Sequence, residues 1–408
     1  MTETLITGIG VISSLGIGRE AFWEQCRCAR SGIRRITGFD TGGLQSNCAG
    51  CVEGFNPAAW LPPMTYRRMS RTSQMAVTAS IEAVQDARLD FATLERSRVA
   101  VIMGTAYGGS SCIGEFFDGC IDEGPQGAHP FLFPETVPNA AASHIAIYHG
   151  ITGPNCTLCQ HDLSAEAALH YAANLIEQGH IDIALVGGSD ELSRALLTCY
   201  GALGVLNDIT VDATEPPVPR LQAGLVPGEG AAVLILEKSS TARTRGAQPY
   251  GILTAAVFAG AAGAPGYYAG SHAIMLQALE RAVSQAAIDR SRIDQISVSA
   301  NFSGALDRRE YRLLTDFLKG CPRTPAIHPL KYLMGDFGGA GAVRAAALLL
   351  SMRRQERLPG LDVEILNTQG PFLPQWQQDC GAAARVSVMT STNVGGATAC
   401  LVFTAFDT

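Results

Sequence analysis

Short apolar runs alternate with stretches of helical periodicity from one end of the chain to the other, the pattern of a layered α/β protein. Leu5 to Ile12 reads as a strand. Arg71 to Ala87 reads as a helix, with apolar residues at Met75, Ala76, Ala79, Ile81 and Val84. Val99 to Met103 is a continuous apolar strand that ends in Gly104. Asn155 to Cys159 is a short strand, read as buried, and a helix follows from Ser164 to Gln178. In that helix Ala165, Ala168, Leu169, Ala172, Leu175 and Ile176 keep a period near 3.6 residues, and Gly179 supplies the stop. The strand Ile181 to Val186 comes next and runs into Gly187-Gly188.

The second half repeats this order. A helix from His272 to Ala287 leads to a strand, Ile296 to Ala300, as Arg71 to Ala87 leads to Val99 to Met103. Gly335-Asp336-Phe337-Gly338-Gly339 then opens an alanine-rich helix through Arg353, the counterpart of Asp162-Leu163-Ser164 and its helix. Val386 to Ser391 and Cys400 to Phe406 read as the last strands. The expectation is an internal duplication, with halves at 1–255 and 256–408, rather than two independent domains.

Composition narrows the function. Only 16% of residues are charged while 47% are hydrophobic, and an average soluble domain is about 25% charged. Some apolar surface is therefore expected to be covered by another subunit. The net charge of −7 comes with no basic stripe, which excludes a nucleic-acid binder. No apolar run is long enough for a membrane span. Met1-Thr2-Glu3-Thr4 lacks the basic start of a signal peptide, and Gly8 and Gly10 interrupt the apolar stretch behind it. A cytoplasmic protein is expected, in which the 12 cysteines are reduced and mostly buried.

Three features could carry chemistry. Gly8-Ile9-Gly10 lacks the third glycine and the following acid of a dinucleotide loop. Cys48-Ala-Gly-Cys51 and Cys156-Thr-Leu-Cys159 have zinc-like spacing, but packing thiols are expected because Cys156 and Cys159 fall in the strand. Asn155 to Gln178 is the third: strand, sharp turn and helix N-terminus form an elbow. A side chain presented there meets the positive end of the helix dipole, which favours thiolates and oxyanions.

At this elbow the sequence resembles the β-ketoacyl-acyl carrier protein synthases of the thiolase superfamily. The resemblance spans nearly the whole chain. Thr7-Gly8-Ile9-Gly10 with Leu15-Gly16 is similar to the family's opening, and Gly32-Ile33 and Phe39-Asp40 to its next landmark. Pro134-Glu135-Thr136 with Asn139, then Gly153-Pro154-Asn155, resemble the run into the elbow. Gly179, Asp182, Ala184 and Gly187-Gly188 resemble the run out of it. Gly224 to Ala231, Lys331 with Gly335, Asp307 with Glu310, and Gly395-Gly396 complete the set. The resemblance implies a duplicated, five-layer αβαβα thiolase-like fold.

The departures matter most. By the resemblance, the family's nucleophilic cysteine falls at Asp162, its two catalytic histidines at Asn301 and Asp336, and its gating phenylalanine at Val394. Condensation needs a thiolate to hold the acyl chain and donors to stabilise an oxyanion and an enolate. Asp162 is a poor nucleophile, and two carboxylates converging there would raise one pKa and repel a malonyl carboxylate. No catalytic position is intact, and no metal or cofactor is expected.

A ketosynthase-like chain without its nucleophile resembles the chain-length factor of type II polyketide synthases, which pairs with an active ketosynthase. The implied partners are that ketosynthase and an acyl carrier protein. The implied dimer edge is Asn155, Cys156, Thr157, Leu158 and Cys159. Tyr107, Ser110 and Gly114, spaced to share one helical face, fall at the tunnel-shaping positions, and Phe131 and Phe133 near the same interface. Arg67, Arg68 and Arg71 form a basic cluster suited to docking an acidic carrier. The chain in the tunnel is expected to be a polyketide or a polyene, aryl polyenes included. Two alternatives stay open: a divergent enzyme using Asp162 and Asp336 as an acid–base pair, and a scaffold or regulator.

Overall fold

The computed structural model describes residues 3–212, 214–260, 268, 271–368, 376–377 and 383–406. Thirteen strands lie among them. The first eight are β1 (Thr4–Ser13), β2 (Gly16–Ile17), β3 (Ile33–Arg35), β4 (Cys48–Gly50), β5 (Val99–Gly104), β6 (Asn155–Leu158), β7 (Ile183–Asp190) and β8 (Gly230–Lys238). The rest are β9 (Gly251–Gly260), β10 (Gln295–Ser297), β11 (Ala326–His328), β12 (Val386–Thr392) and β13 (Ala397–Thr404). One large sheet runs β11-β10-β12-β13-β9-β1-β8-β7-β5-β6, with β2 paired to the end of β1. Strands β3 and β4 form a separate pair.

The two flanks of the sheet have the same topology. On one, β5 lies parallel between β6 and β7, and β8 runs antiparallel to β7 and β1. On the other, β10 lies parallel between β11 and β12, and β13 runs antiparallel to β12 and β9. They meet where Leu5 pairs with Ile252 and Ile6 with Gly251. Residue 255 itself falls inside β9.

Helices cover both faces. Those at Ser164–Glu177 and Ala340–Arg354 are the inner pair, and every residue from Ala340 to Met352 is buried. Alanine-rich faces permit this close approach: a Cβ on Gly188 would stand 2.7 Å from the Gly339 backbone. Between the sheet and these helices the Arg344 guanidinium is fully buried. It donates to the carbonyls of Ser297 and Thr390 and to the Ser391 hydroxyl, and stands 3.6 Å from Glu166.

The periodic elements fall where the pattern places them, and Arg71–Ala87 matches at both ends. Ser70 caps that helix by accepting from the Ser73 N–H. Several ends shift by a few residues, as where the strand expected from Ile181 to Val186 is Ile183–Asp190, and two of the shifts bear on the site. The strand expected from Ile296 to Ala300 is Gln295–Ser297, because Val298 to Phe302 leave the ladder to reach the site. The helix expected from Gly335 starts at Ala340. A short helix, Lys331–Met334, precedes it and ends at Gly335, whose φ of 79° is readily adopted by glycine. The backbone then bridges Asp336 to Pro227.

Strand β6 is one edge of the sheet, paired among the described strands with β5 alone. Its Asn155 is exposed and Cys156 to Leu158 are half-buried, so the buried-strand reading is corrected. Cys159, beyond it, is exposed as well. Of the eleven described cysteines only Cys26, Cys48 and Cys400 are buried, so the expectation of mostly buried thiols fails too. Large apolar side chains are exposed in the segments before this edge: Phe117, Ile121, Phe131, Phe133 and Ile147 are each more than half accessible. No described helix is long and apolar enough to cross a membrane.

Candidate functional site

The elbow is built by one close approach. Gly104 ends β5 against the first residue of the helix Ser164–Glu177, where a Cβ would lie 2.3 Å from the Ser164 carbonyl carbon. The Ser164 hydroxyl accepts from the Gln160 N–H and lies 3.0 Å from the Thr105 carbonyl, which ties the turn to the strand end. Between them, His161–Leu163 form one 3-10 turn. His161 has φ 52°, a left-handed conformation that costs energy for a residue with a side chain. The turn buries Asp162 and leaves the His161 side chain 32% accessible.

Asp162 and Asp336 sit in two linked networks. His161 Nδ1 lies 3.1 Å from Asp162 Oδ1, and the Val394 N–H points at Oδ2 from 3.4 Å. Asp336 Oδ1 lies 2.6 Å from Lys331 Nζ, and Asp336 Oδ2 accepts from Asn301 Nδ2 at 2.5 Å. Asn301 Nδ2 also donates to the Tyr268 hydroxyl at 2.9 Å. Asp307 holds this loop by accepting from the Asn301 N–H and from the Tyr332 hydroxyl. Tyr332 also stacks on Phe302, with ring centroids 4.0 Å apart.

Burial pushes the two carboxyls upward, but their neighbours separate them. Against burial, His161 and then Lys331 hold Asp162 below the usual aspartate value. Asp336 is raised by burial and by the charge on Asp162, more than Lys331 and Asn301 lower it. Burial works against a charged His161 imidazole, yet Asp162 raises it above the ordinary value.

A third network positions Tyr107. Asp190 accepts from the Thr105 hydroxyl and from the N–H groups of Ala106, Tyr107 and Gly339. It thereby joins the β5 turn to the second inner helix. Burial lifts Asp190 to about 6 despite these donors. The Tyr107 hydroxyl lies 2.6 Å from His161 Nε2 and accepts from the Tyr200 hydroxyl at 3.2 Å.

Sequence reasoning named Asp162, Asn301 and Asp336, and the fold brings their segments together. It missed His161, Tyr200 and Tyr268. The adjacency of His161 to Asp162 in the elbow was the available signal; nothing local marked the two tyrosines. Tyr107 does not share a helical face with Ser110 and Gly114, because Gly108 takes φ 60° and the helix begins only at Ser110. Ser110 and Gly114 instead border a cavity of about 1200 Å³ together with Phe39, Phe55 and Leu132. Phe131 and Phe133 lie exposed, with Phe133 against Phe116 at 5.9 Å.

The basic cluster is also smaller than expected. Arg67 and Arg68 are exposed, but Arg71 donates two hydrogen bonds to Glu229 and a third to the Val52 carbonyl. Arg71 is structural and leaves the docking set. Burial pushes Cys48 to about 11 and Cys51 to about 12. No group of three metal-ligating side chains occurs among the described residues. The site therefore offers two carboxylates, a lysine, an imidazole and phenols, with no thiol at the turn.

Residues 1–242 match the family described as beta-ketoacyl synthase, N-terminal domain, and residues 250–364 its C-terminal domain. A putative polyketide beta-ketoacyl synthase 1 of Streptomyces cyaneus is 31% identical over 371 residues, 88% of this chain and 87% of that one. The 3-oxoacyl-(acyl-carrier-protein) synthase 2 of Vibrio cholerae is 27% identical over 371 residues, covering 89% of each. Among solved structures, the ishigamide ketosynthase/chain length factor superposes with a TM-score of 0.88 at 26% identity, covering 100% of both chains. The fold is thus the thiolase-like fold of the ketosynthases.

Proposed function

The chain belongs to the β-ketoacyl synthase family, and from that premise we propose that it is a non-condensing chain-length factor paired with an active ketosynthase. One observation carries this reading. The elbow position at which the family presents its cysteine holds Asp162, a buried carboxylate already engaged by His161. A carboxylate there cannot form the thioester that loads the growing chain. The lysine and the amide nearby are committed to Asp336 rather than to an incoming oxyanion.

The partner would cover the β6 edge and the exposed apolar side chains before it. Contiguous apolar exposure of this kind marks interaction surfaces. The similar structure that carries the words ketosynthase/chain length factor is consistent with such a pair. Arg67 and Arg68 remain as docking residues for an acidic carrier protein, a class named by the Vibrio cholerae relative. Co-expression with a ketosynthase of the type II class is the test. A stable one-to-one complex whose turnover survives Asp162→Ala is the expected result. Loss of turnover with the complex intact would transfer the role to acid–base chemistry at Asp162 and Asp336, a reading favoured only by the opposed shifts of the two carboxyls.

Tunnel length follows from the Ser110 side of the cavity. A Cβ added at Gly114 meets nothing within 4 Å, so a ring there would enter the cavity without disturbing the helix. Gly114→Phe in the complex is expected to shorten the product, read as the shift in product mass. Unchanged product length would remove Gly114 from the tunnel wall.

A further inference from the structure

A second cavity, of about 380 Å³, opens where β10 and β12 begin and β13 ends. The site around Asp162 lies beyond the other end of the same strands, since Val394, just past β12, points its N–H at Asp162. The seven residues of β12, about 20 Å of strand, separate the two places. The cavity wall carries Arg292, Arg323 and Arg385, with Ser291, Thr404 and, among the described residues, a single acid, Asp294.

That carboxylate is already used. Asp294 Oδ2 accepts from the N–H groups of Arg385 and Val386, at 2.7 and 3.0 Å. Its Oδ1 accepts from Arg357 Nη2 at 3.1 Å and stands 3.2 Å from Arg323 Nη2. The Asp294 main chain donates to the Val386 carbonyl and accepts from the Ala326 N–H. Asp294 thus ties together the starts of β10, β11 and β12 and fixes one wall of the cavity. Asp289, close enough to Arg292 to feel its charge, is turned to Ser291, from whose N–H and hydroxyl it accepts.

One carboxylate with both oxygens occupied does not satisfy three guanidiniums. Each guanidinium has five N–H donors in a planar fork, so one that already holds a partner still has others to give. The three come from separate segments: the 3-10 turn Arg290–Arg292, the chain leading into β11, and the residue before β12. Donors converging from three segments suit a tetrahedral anion, whereas the plane of a carboxylate is filled by one fork. No described residue of the wall is aromatic, so nothing there would stack on a base.

We propose that this cavity binds a phosphate dianion, free or carried on a small polar metabolite, through Arg292, Arg323 and Arg385. The volume admits more than the bare ion, since a water takes up only about 30 Å³. Nothing in this site depends on Asp162 or on the pairing of the chain with a ketosynthase.

The test is calorimetric titration of the full chain at low salt with inorganic phosphate, glycerol 3-phosphate and acetate. Both phosphates are expected to bind once per chain, and acetate at least about tenfold more weakly, because it brings one charge and one plane. Arg292→Gln and Arg323→Gln are each expected to weaken phosphate binding at least about tenfold, the worth of one charge-assisted hydrogen bond. Arg323 stands against Asp294, so its loss could disturb the strand starts; the Arg292 side chain holds no hydrogen bond to a described residue, and its replacement leaves the fold intact. Arg30→Gln, at an exposed arginine of the other half, is expected to change nothing. Tighter binding of glycerol 3-phosphate than of phosphate would identify a metabolite as the source, and equal binding the free ion. No saturation by about 10 mM phosphate, acetate binding as tightly as phosphate, or unchanged binding in Arg292→Gln would each overturn the proposal. So would an Arg30→Gln effect as large as that of Arg292→Gln, which would reduce the binding to diffuse attraction.

Discussion

Lys331→Met is expected to destabilise the protein by about 3–5 kcal/mol, the cost of leaving a buried charge without its partner. Lys331 and Asp336 are almost fully buried, and their charged atoms are 2.6 Å apart. With the ammonium gone, Asp336 keeps one amide donor from Asn301 and faces the charge of Asp162. The double variant Lys331→Met/Asp336→Leu is expected to recover most of the loss, because it removes both charges from the interior. Chemical denaturation of the two variants and the unaltered chain gives the comparison. If Lys331→Met alone were neutral, the ion pair could not be what holds this site together. The same reasoning explains why Asp336 and Lys331 form a unit: a carboxylate this deeply buried needs a cation beside it.

Acid sensitivity is the second large effect, and it comes from a histidine outside the site. His328 in β11 is fully buried and lies 2.8 Å from the Pro359 carbonyl through Nδ1, and its Nε2 has no hydrogen-bond partner among the described residues. Burial depresses it to about 4. The unfolded chain takes up a proton near the ordinary value of about 6.5 while the folded chain does not. Its contribution is therefore whole above about 6.5 and is lost as pH falls toward 4, reaching about 3 kcal/mol. His328→Gln, which can still donate to Pro359, is expected to lose about 2–3 kcal/mol less than the unaltered chain between pH 7 and 4.5. Asp307, raised by burial to about 7, acts in the opposite direction, since it gains stability as it protonates on acidification. The difference between variant and parent cancels that contribution. Parallel pH–stability curves would show that His328 is not the acid-labile group.

Much of the fold was readable from periodicity. The helix Arg71–Ala87 and the strands beginning at Val99 and Val386 are long enough for one face or both to announce themselves. Gly335 and Gly104 were visible only as punctuation. One ends a helix with a left-handed residue, and the other lets an inner helix start against a strand end. Neither consequence follows from local sequence, because each depends on a segment far away in the chain. The cysteines misled for a related reason: burial of a strand depends on whether a neighbour pairs with it, and β6 has a neighbour on one side only.

The same division runs through the site. The sequence alone determined the elbow and the family, and counting along the resemblance singled out Asp162, Asn301 and Asp336. These are matters of residue identity at counted positions, and counting needs no coordinates. Only the tertiary structure decided what these groups are paired with. It engaged Arg71 with Glu229, took Tyr107 off the helix, and placed His161 between Asp162 and a tyrosine pair. Pairing of buried charges is decided by distances of a few ångströms between segments far apart in the chain, as for Arg344 and Glu166. No local pattern encodes such distances, because they arise when the two halves close over one interior.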